Sequence, residues 1–274
     1  MRVTNQMMST TYLKDLNKNL NNLNTLNKQL TTGKEISKPS DNPFKTARIM
    51  QMYSDISANK QYNENIKDTI NWLDTTDVAL EQIGNSAQRI RELMVSAGNA
   101  SYGSDEKNAL KEEINEKINE IAQVLNTNYD GKYIFGGTKS LSKPVGVEKD
   151  SNGNNILVFK DDNGNSFNEE GKAYIKNADG TITRDANGNL AVEANPKPEY
   201  EKLLNQMNAN LSVEVSNGVN MNYNVGTPSI LTLKNGNNGM KLLNDVVTNL
   251  DTVDSSDVIK GNLEEMDLFI SNVS

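Results

Sequence analysis

Leu13-Lys-Asp-Leu16-Asn-Lys-Asn-Leu20-Asn-Asn-Leu23-Asn-Thr-Leu-Asn27-Lys-Gln-Leu30 places leucines three and four residues apart in turn, with Asn27 on the beat where a leucine is missing. That spacing is an a/d seam, and a narrow apolar seam needs a partner helix. The residues between the leucines argue against a helix that stands alone. Asn17, Asn19, Asn21, Asn22 and Asn24 are each several tenths of a kcal/mol worse than Ala in a helix. An amphipathic helix owes most of its stability to packing its apolar face. Residues 1–42 are therefore expected to be a helix completed by another helix, followed by a linker. Gly33 suits a left-handed helix stop near Thr32, and Pro39, Ser40 and Asp41 lie in the linker. Asp41 or Asn42 can cap the next helix, with Pro43 at its first position.

From Phe44 to about Ala97 the helical pattern continues for some fifty residues without proline and with Gly84 as its one internal glycine. At 1.5 Å per residue this is a rod of roughly 75–80 Å, suited to an elongated bundle. Ile49, Met50, Tyr53 and Ile56 lie early in it; Ile66, Ile70, Leu73, Leu80 and Ile90 are its expected core residues. Gly98-Asn99 ends the run, Ser104 can cap the next, and Leu110, Ile114, Ile118, Ile121 and Leu125 form a second core stripe. The chain is expected to double back there as an antiparallel hairpin. Asp130-Gly131, followed by Lys132-Tyr-Ile-Phe135, signals a short β-hairpin closing the segment 43–137.

Residues 138–235 shift to Gly, Asn, Asp and short apolar runs. Four cassettes recur: Asp150-Ser-Asn-Gly-Asn, Asp161-Asp-Asn-Gly-Asn, Asn177-Ala-Asp-Gly-Thr and Asp185-Ala-Asn-Gly-Asn. Strand-like pieces lie at 156–159, 173–175, 190–192, 213–215 and 219–225, with a helix at 199–208. The expectation is an inserted β-rich hairpin domain. A calcium-stabilised adhesive module is the remote alternative, but an EF-hand loop needs Gly at its sixth position and here Gly is fourth. Turn chemistry accounts for the cassettes better, since Asn-Gly supplies positive φ. Residues 236–274 return to helix: Leu242 to Leu250, then Ile259, Leu263, Met266, Ile270 and Val273, capped by Asp254 or Ser255. This last stripe is still in stride at Ser274, as in a truncated chain. The fold class expected is α+β: an elongated antiparallel helical bundle with an inserted β-rich hairpin domain.

The 274 residues are 35% hydrophobic, carry a formal charge of −8, and contain neither Cys nor His. The acidic balance and the lack of a basic patch argue against nucleic acid as partner. No apolar run is long enough to span a membrane, and the N-terminus lacks the apolar core of a cleavable signal. Disulfides, thiolate chemistry and imidazole bases are excluded, and no cofactor is expected. The adjacent pairs Glu112-Glu113, Asp161-Asp162 and Glu169-Glu170 point apart on a helix or strand, unlike the facing carboxylates of a hydrolase. An enzyme is the poorest of the readings.

Several segments together resemble the bacterial flagellar hook–filament junction family (hook-associated protein 3), relatives of flagellin. They are Met1-Arg-Val-Thr-Asn-Gln-Met-Met, Gln29-Leu-Thr-Thr-Gly33-Lys-Glu-Ile-Ser-Lys-Pro39-Ser-Asp-Asn-Pro43, Tyr62-Asn-Glu-Asn-Ile66, Trp72-Leu-Asp, Ala79-Leu, Arg89-Ile-Arg-Glu-Leu and Gly131-Lys-Tyr-Ile-Phe-Gly-Gly137. Flagellins are similar through the first hundred residues, but Pro39-Ser40-Asp41-x-Pro43 and Trp72-Leu73 look like the junction family. The resemblance implies a structural subunit, not an enzyme. It would be exported through the flagellar type III apparatus with a chaperone and placed outside the cell in a ring of its own copies between hook-associated protein 1 and flagellin. A flagellin-like filament subunit is the alternative. Members of the family end in a further long helix paired with the first, so the resemblance implies that this partner of Leu13 to Leu30 is missing here.

Overall fold

Helix α1 (Arg2–Thr32) and the long helix α2 (Pro43–Ala97) open an α+β chain whose computed structural model describes residues 2–98, 104–185, 188–250 and 256–273, with backbone alone at 2–4, 104 and 256–260. The chain divides into two compact units, Met1–Asn63 and Glu64–Ser274. In the first, α1 is helical despite its asparagines. The hydroxyls of Thr10, Thr11, Thr25, Thr31 and Thr32 donate to carbonyls four residues back, so these side chains settle on their own helix. Gly33 stops the helix at φ +64° and donates its N–H to Gln29 O at 2.8 Å, the left-handed stop the sequence announces. A turn from Lys38 to Asp41 follows, with Pro39 at its second position. Asn42 is the cap of α2: its Oδ1 accepts from Lys45 N at 3.0 Å.

In the second unit α2 and α3 (Ser104–Leu125) run antiparallel, because Arg89 pairs with Glu113 while Trp72, further back along α2, reaches Tyr129 beyond the end of α3. Ile83, Ala87, Ile90, Leu93 and Met94 of α2 are buried against Ile114, Ile118, Ile121 and Leu125 of α3. Helices α6 (Gly239–Asn249) and α7 (Ser256–Val273) complete this core with Leu242, Leu243, Val246, Val247, Met266, Phe269 and Val273. In α7 the fully buried side chains are Met266 and Phe269, while Leu263 and Ile270 are half-buried; the side chain of Ile259 and the caps expected at Asp254 or Ser255 lie outside the described residues. Leu80 and Leu110 are half-buried at the edge of the same core.

Strands β1 (Asn128–Tyr129) and β2 (Lys132–Tyr133) form the expected hairpin, and Asp130 at φ +50° with Gly131 at φ +77° turn it in the primed sense that strand twist favours. Next comes an antiparallel sheet in the order β3 (Val145–Lys149), β4 (Asn155–Lys160), β5 (Ser166–Phe167). β3 has no counterpart among the expected strands. β4 is buried on both faces: Leu157 and Phe159 point into the helical core, Ile156 and Val158 into a smaller cluster with Tyr174 and Ile182. The stretch 138–235 is thus inserted in the chain but shares its main core with α3 and α6. Helical asparagines seal the free edge of β4. Asn244 accepts from Leu157 N at 2.9 Å and donates to Leu157 O at 3.1 Å; Asn115 Oδ1 accepts from Asn155 N, and the Asn155 side-chain Nδ2 donates to the Asn115 backbone carbonyl, at 3.0 Å each. Buried polar groups at an apolar interface are tolerated only when paired in this way.

The cassettes are one repeated turn. Asp150, Asp161, Asn177 and Asp185 each donate their backbone N–H to the carbonyl of the residue four on and accept from the N–H of the glycine three on. Asn168 and Leu233 build the same turn without the cassette. The glycines sit at φ +72 to +86°. The Oδ1 of Asp150, Asp161 and Asn168 each accepts two backbone N–H groups within the turn. Those oxygens cap backbone, and among the described residues no three acidic side chains converge as a metal site would require. Of the shorter strand-like pieces, 173–175 and 190–192 make isolated bridges only, whereas β6 (Ser212–Ser216) and β7 (Val219–Asn222) pair as a hairpin. Helices α4 (Pro198–Met207) and α5 (Thr227–Leu231) pack at the junction with the bundle. A Cβ on Gly137 or Gly226 would lie 2.4 or 2.2 Å from Met207 O, so only glycine lets these backbones meet the end of α4.

Candidate assembly surface

Among the described residues nothing covers the α1 seam. Leu13, Leu16, Leu20, Leu23 and Leu30 are all exposed, Leu20 at 55% and Leu23 at 63%, and Asn27 is exposed on the same row. Met7, Met8, Tyr12 and Leu26 widen the apolar surface. A contiguous exposed patch of this kind marks an interaction site, where scattered single leucines would not.

The linker that carries the seam is held by local bonds. Asp41 Oδ2 accepts from Lys38 N at 3.0 Å and Ser37 N at 3.3 Å; the Lys38 N–H is the main cause that holds this carboxyl below its usual range. Glu35 pairs with Lys45 at 2.8 Å, which likewise keeps its carboxyl ionised to lower pH. Pro39 and Ser40 form the turn tip and Pro43 begins α2, so each linker residue has a backbone role. Beside it lies an open cleft of about 540 Å³ lined by Phe44, Ile49, Met52 and Tyr53 with Lys34 and Arg48 at its rim.

Three expected core residues of α2 lie elsewhere. Ile66, Ile70 and Leu73 are 37%, 50% and 41% exposed, and the buried face here is Thr69, Trp72, Thr76 and Ala79. The cause is what lies opposite. Tyr129 and Tyr223, from the two hairpins, meet Trp72 edge-on at ring distances of 6.0 and 5.6 Å, and bulky rings need small neighbours. Thr69 and Thr76 fit because each hydroxyl donates to a carbonyl four residues back at 2.8 Å. The displaced residues belong to a second seam that core-oriented reading missed: Ile49, Met52, Ile56, Asn59, Asn63, Ile66, Ile70, Leu73, Asp77 and Leu80 alternate steps of three and four along α2. The strict 3.5-residue period was its signal, since a helix packed in a globular core drifts from it.

Charge is segregated as well. Residues 1–63 hold nine Lys and Arg against four Asp and Glu, a net +5, while 64–274 hold nineteen against thirty-two, a net −13. The acid pairs raised as enzyme candidates are partly committed: Glu113 pairs with Arg89 at 2.7 Å, Asp161 caps a turn, and Asp162 accepts from Ser142 at 2.6 Å.

A family model described as the bacterial flagellin N-terminal helical region matches residues 3–140. The flagellin of Salmonella paratyphi A is 29% identical over 145 residues, covering 53% of this chain and 29% of that protein. The phase 1 flagellin of Salmonella naestved is 29% identical over 134 residues, covering 48% and 26%. The match therefore spans less than a third of those relatives. A putative flagellar hook-associated protein from Vibrio parahaemolyticus superposes with a TM-score of 0.59 at 17% identity, over 86% of this chain and 84% of the other. FlgL of Bacillus cereus superposes with a TM-score of 0.50 at 17% identity, over 83% and 85%. These two likenesses are of fold.

Proposed function

Because the chain belongs to the bacterial flagellin family, we propose that it is a structural subunit of the bacterial flagellum that forms the junction between hook and filament. In this reading it assembles helically after export by the flagellar type III apparatus, with a chaperone, and stands outside the cell. Its neighbours are hook-associated protein 1, flagellin and its own copies. One observation carries the proposal: the uncovered α1 seam from Leu13 to Leu30, on a member of this family. The seam is a non-self-sufficient surface, and a head-to-tail contact between such surfaces generates helical arrays. The linker Gly33, Pro39, Ser40, Asp41 and Pro43 positions it.

The flagellin matches favour a second reading, a filament subunit. Pro39-Ser40-Asp41-x-Pro43 and Trp72-Leu73 favour the junction. Deleting the gene tests both. Cells with hooks, without filaments, and with flagellin shed into the medium support the junction role. Filaments grown from this chain alone would overturn it in favour of the second reading.

A further inference from the structure

A pocket of about 280 Å³ lies where the turn at Asn168 meets α6. Glu169 of the turn and Asp245 of α6 line it as half-buried carboxylates, together with Tyr174 and the apolar side chains of Leu190 and Val192. Three polar groups in it lack a partner of their own. Neither carboxylate makes an ion pair among the described residues, and that of Glu169 takes only its own backbone N–H. Tyr174 is 8% exposed, and its hydroxyl has no hydrogen-bond partner among the described residues. Burial holds this phenol in its neutral form, and the charges of Glu169 and Asp245 add to the effect, so its hydroxyl faces the same space as the two carboxylates. Buried polar groups are rarely left unpaired without a reason.

The charge around the pocket is unbalanced. Nearby ions are matched: Glu148 with Lys160 and Lys176, Asp150 with Arg184, and Glu170 with Lys172. Lys241 acts on Glu169 and Asp245 from the exposed rim without forming an ion pair among the described residues, and Glu265 adds negative charge at Asp245. An excess of negative charge is left over. We propose that this pocket binds a primary alkyl ammonium, its head on Glu169, Asp245 and the Tyr174 hydroxyl and its aliphatic stem along Leu190 and Val192.

Donor number selects the head. An ammonium has three N–H donors and no acceptor, and three acceptors wait for it, two carboxylates and a phenol oxygen. A guanidinium spreads five donors over one plane and would leave some unmatched here. Calcium asks for about six to eight oxygen ligands, and no three acidic side chains converge among the described residues. At about 280 Å³ the space is at the small end of ligand sites, which restricts the occupant to a small amine or a single lysine side chain. Either carries the same chemistry, and either would neutralise carboxylates that burial leaves unfavourable.

Titration calorimetry of the whole chain with pentylamine tests the site, with far-UV circular dichroism confirming that each variant folds. Saturable one-to-one binding is expected. Glu169→Gln and Asp245→Asn keep the side-chain shape and should each weaken it about tenfold or more, since each removes a charge-assisted hydrogen bond. Tyr174→Phe deletes only the hydroxyl and should weaken it about threefold or more. Lys241→Met should tighten it, because a competing cation leaves, and Asp68→Asn on α2 should leave it unchanged. Tetraethylammonium, a cation without N–H, and calcium should bind far more weakly or not at all. Nα-acetyl-lysine methylamide separates the two carriers: its binding supports a lysine side chain as occupant, and binding by pentylamine alone supports a free amine. No saturable binding of either amine, binding indifferent to both Glu169→Gln and Asp245→Asn, weaker binding after Lys241→Met, or equal binding of tetraethylammonium or calcium would overturn the proposal.

Discussion

Changing Leu20 and Leu23 together to Asp should leave the chain folded and keep it out of the flagellum. The two side chains are 55% and 63% exposed, so about half of each still has water to lose. Completing their burial is worth about 1 kcal/mol apiece, from a full-burial value of roughly 1.5–3 kcal/mol. The substitution forfeits that gain and puts two carboxylates into an apolar seam, where the effective cost is several kcal/mol per unpaired ion. Even about 5 kcal/mol per subunit weakens a contact by more than a thousandfold. In the free chain the change costs only helix propensity, about 0.5 kcal/mol per position, confined to α1. The assay is complementation of a deletion strain, scoring swimming, the presence of the chain in isolated flagella and its amount in the medium. Normal export with no incorporation is expected. Lys18→Asp, an added acid on the opposite side of α1, should be tolerated. Normal swimming with the double variant present in flagella would refute the role given to the seam.

Other consequences are biochemical. Asp150 is buried, with its Oδ2 accepting from Arg184 Nε at 2.8 Å and its Oδ1 from Asn152 N and Asn154 N at 2.8 Å each. Asp150→Ala strands the Arg184 guanidinium, buried to 8% exposure, and should cost about 3–5 kcal/mol in denaturant unfolding; a loss under about 1 kcal/mol would contradict this. Burial raises the carboxyl pKa of both Glu169 and Asp245, with Asp245 adding to the rise at Glu169 and Glu265 to that at Asp245. The folded state then holds these protons more tightly than the unfolded one, so their contribution is full below the unfolded value near pH 4 and is lost as pH rises through the folded values. Glu169→Gln and Asp245→Asn should therefore raise the melting temperature at pH 7 and do little near pH 4; equal effects at both would argue against burial as the cause. Gly226→Ala should cost roughly 1–3 kcal/mol through overpacking, since its Cβ would lie 2.2 Å from Met207 O. By contrast Gly84→Ala, in open space within α2, should stabilise by about 0.5–1 kcal/mol. Thermal melts of the two variants moving in the same direction would count against this contrast.

Some features were legible because they are local. The leucine period of α1, the stop at Gly33, the stripe Ile114 to Leu125 on α3 and the Asp130-Gly131 turn each depend on neighbours within a few residues. Backbone geometry converts such spacing into structure wherever the segment lies. The repeated turn was legible in the four cassettes that join a leading Asx to an Asn-Gly or Asp-Gly pair, but not at Asn168-Glu-Glu-Gly171 or Leu233-Lys-Asn-Gly236, which each carry only part of it.

By itself, then, the sequence determined the long helices and the stop at Gly33, though not the short α5, and that α1 displays an unpaired seam. It also carried two candidate stripes on α2, and the more hydrophobic one, Ile66 to Leu73, is not the one buried. Only the tertiary structure decided between them, through Tyr129 and Tyr223, which lie 57 and 151 residues beyond Trp72. Distant contacts also explain why Asn115 and Asn244 interrupt apolar helix faces and why Asp150 and Arg184 are buried together. Periodicity is a property of one segment, but burial depends on what packs against it, and the long-range contacts that decide this leave no local pattern.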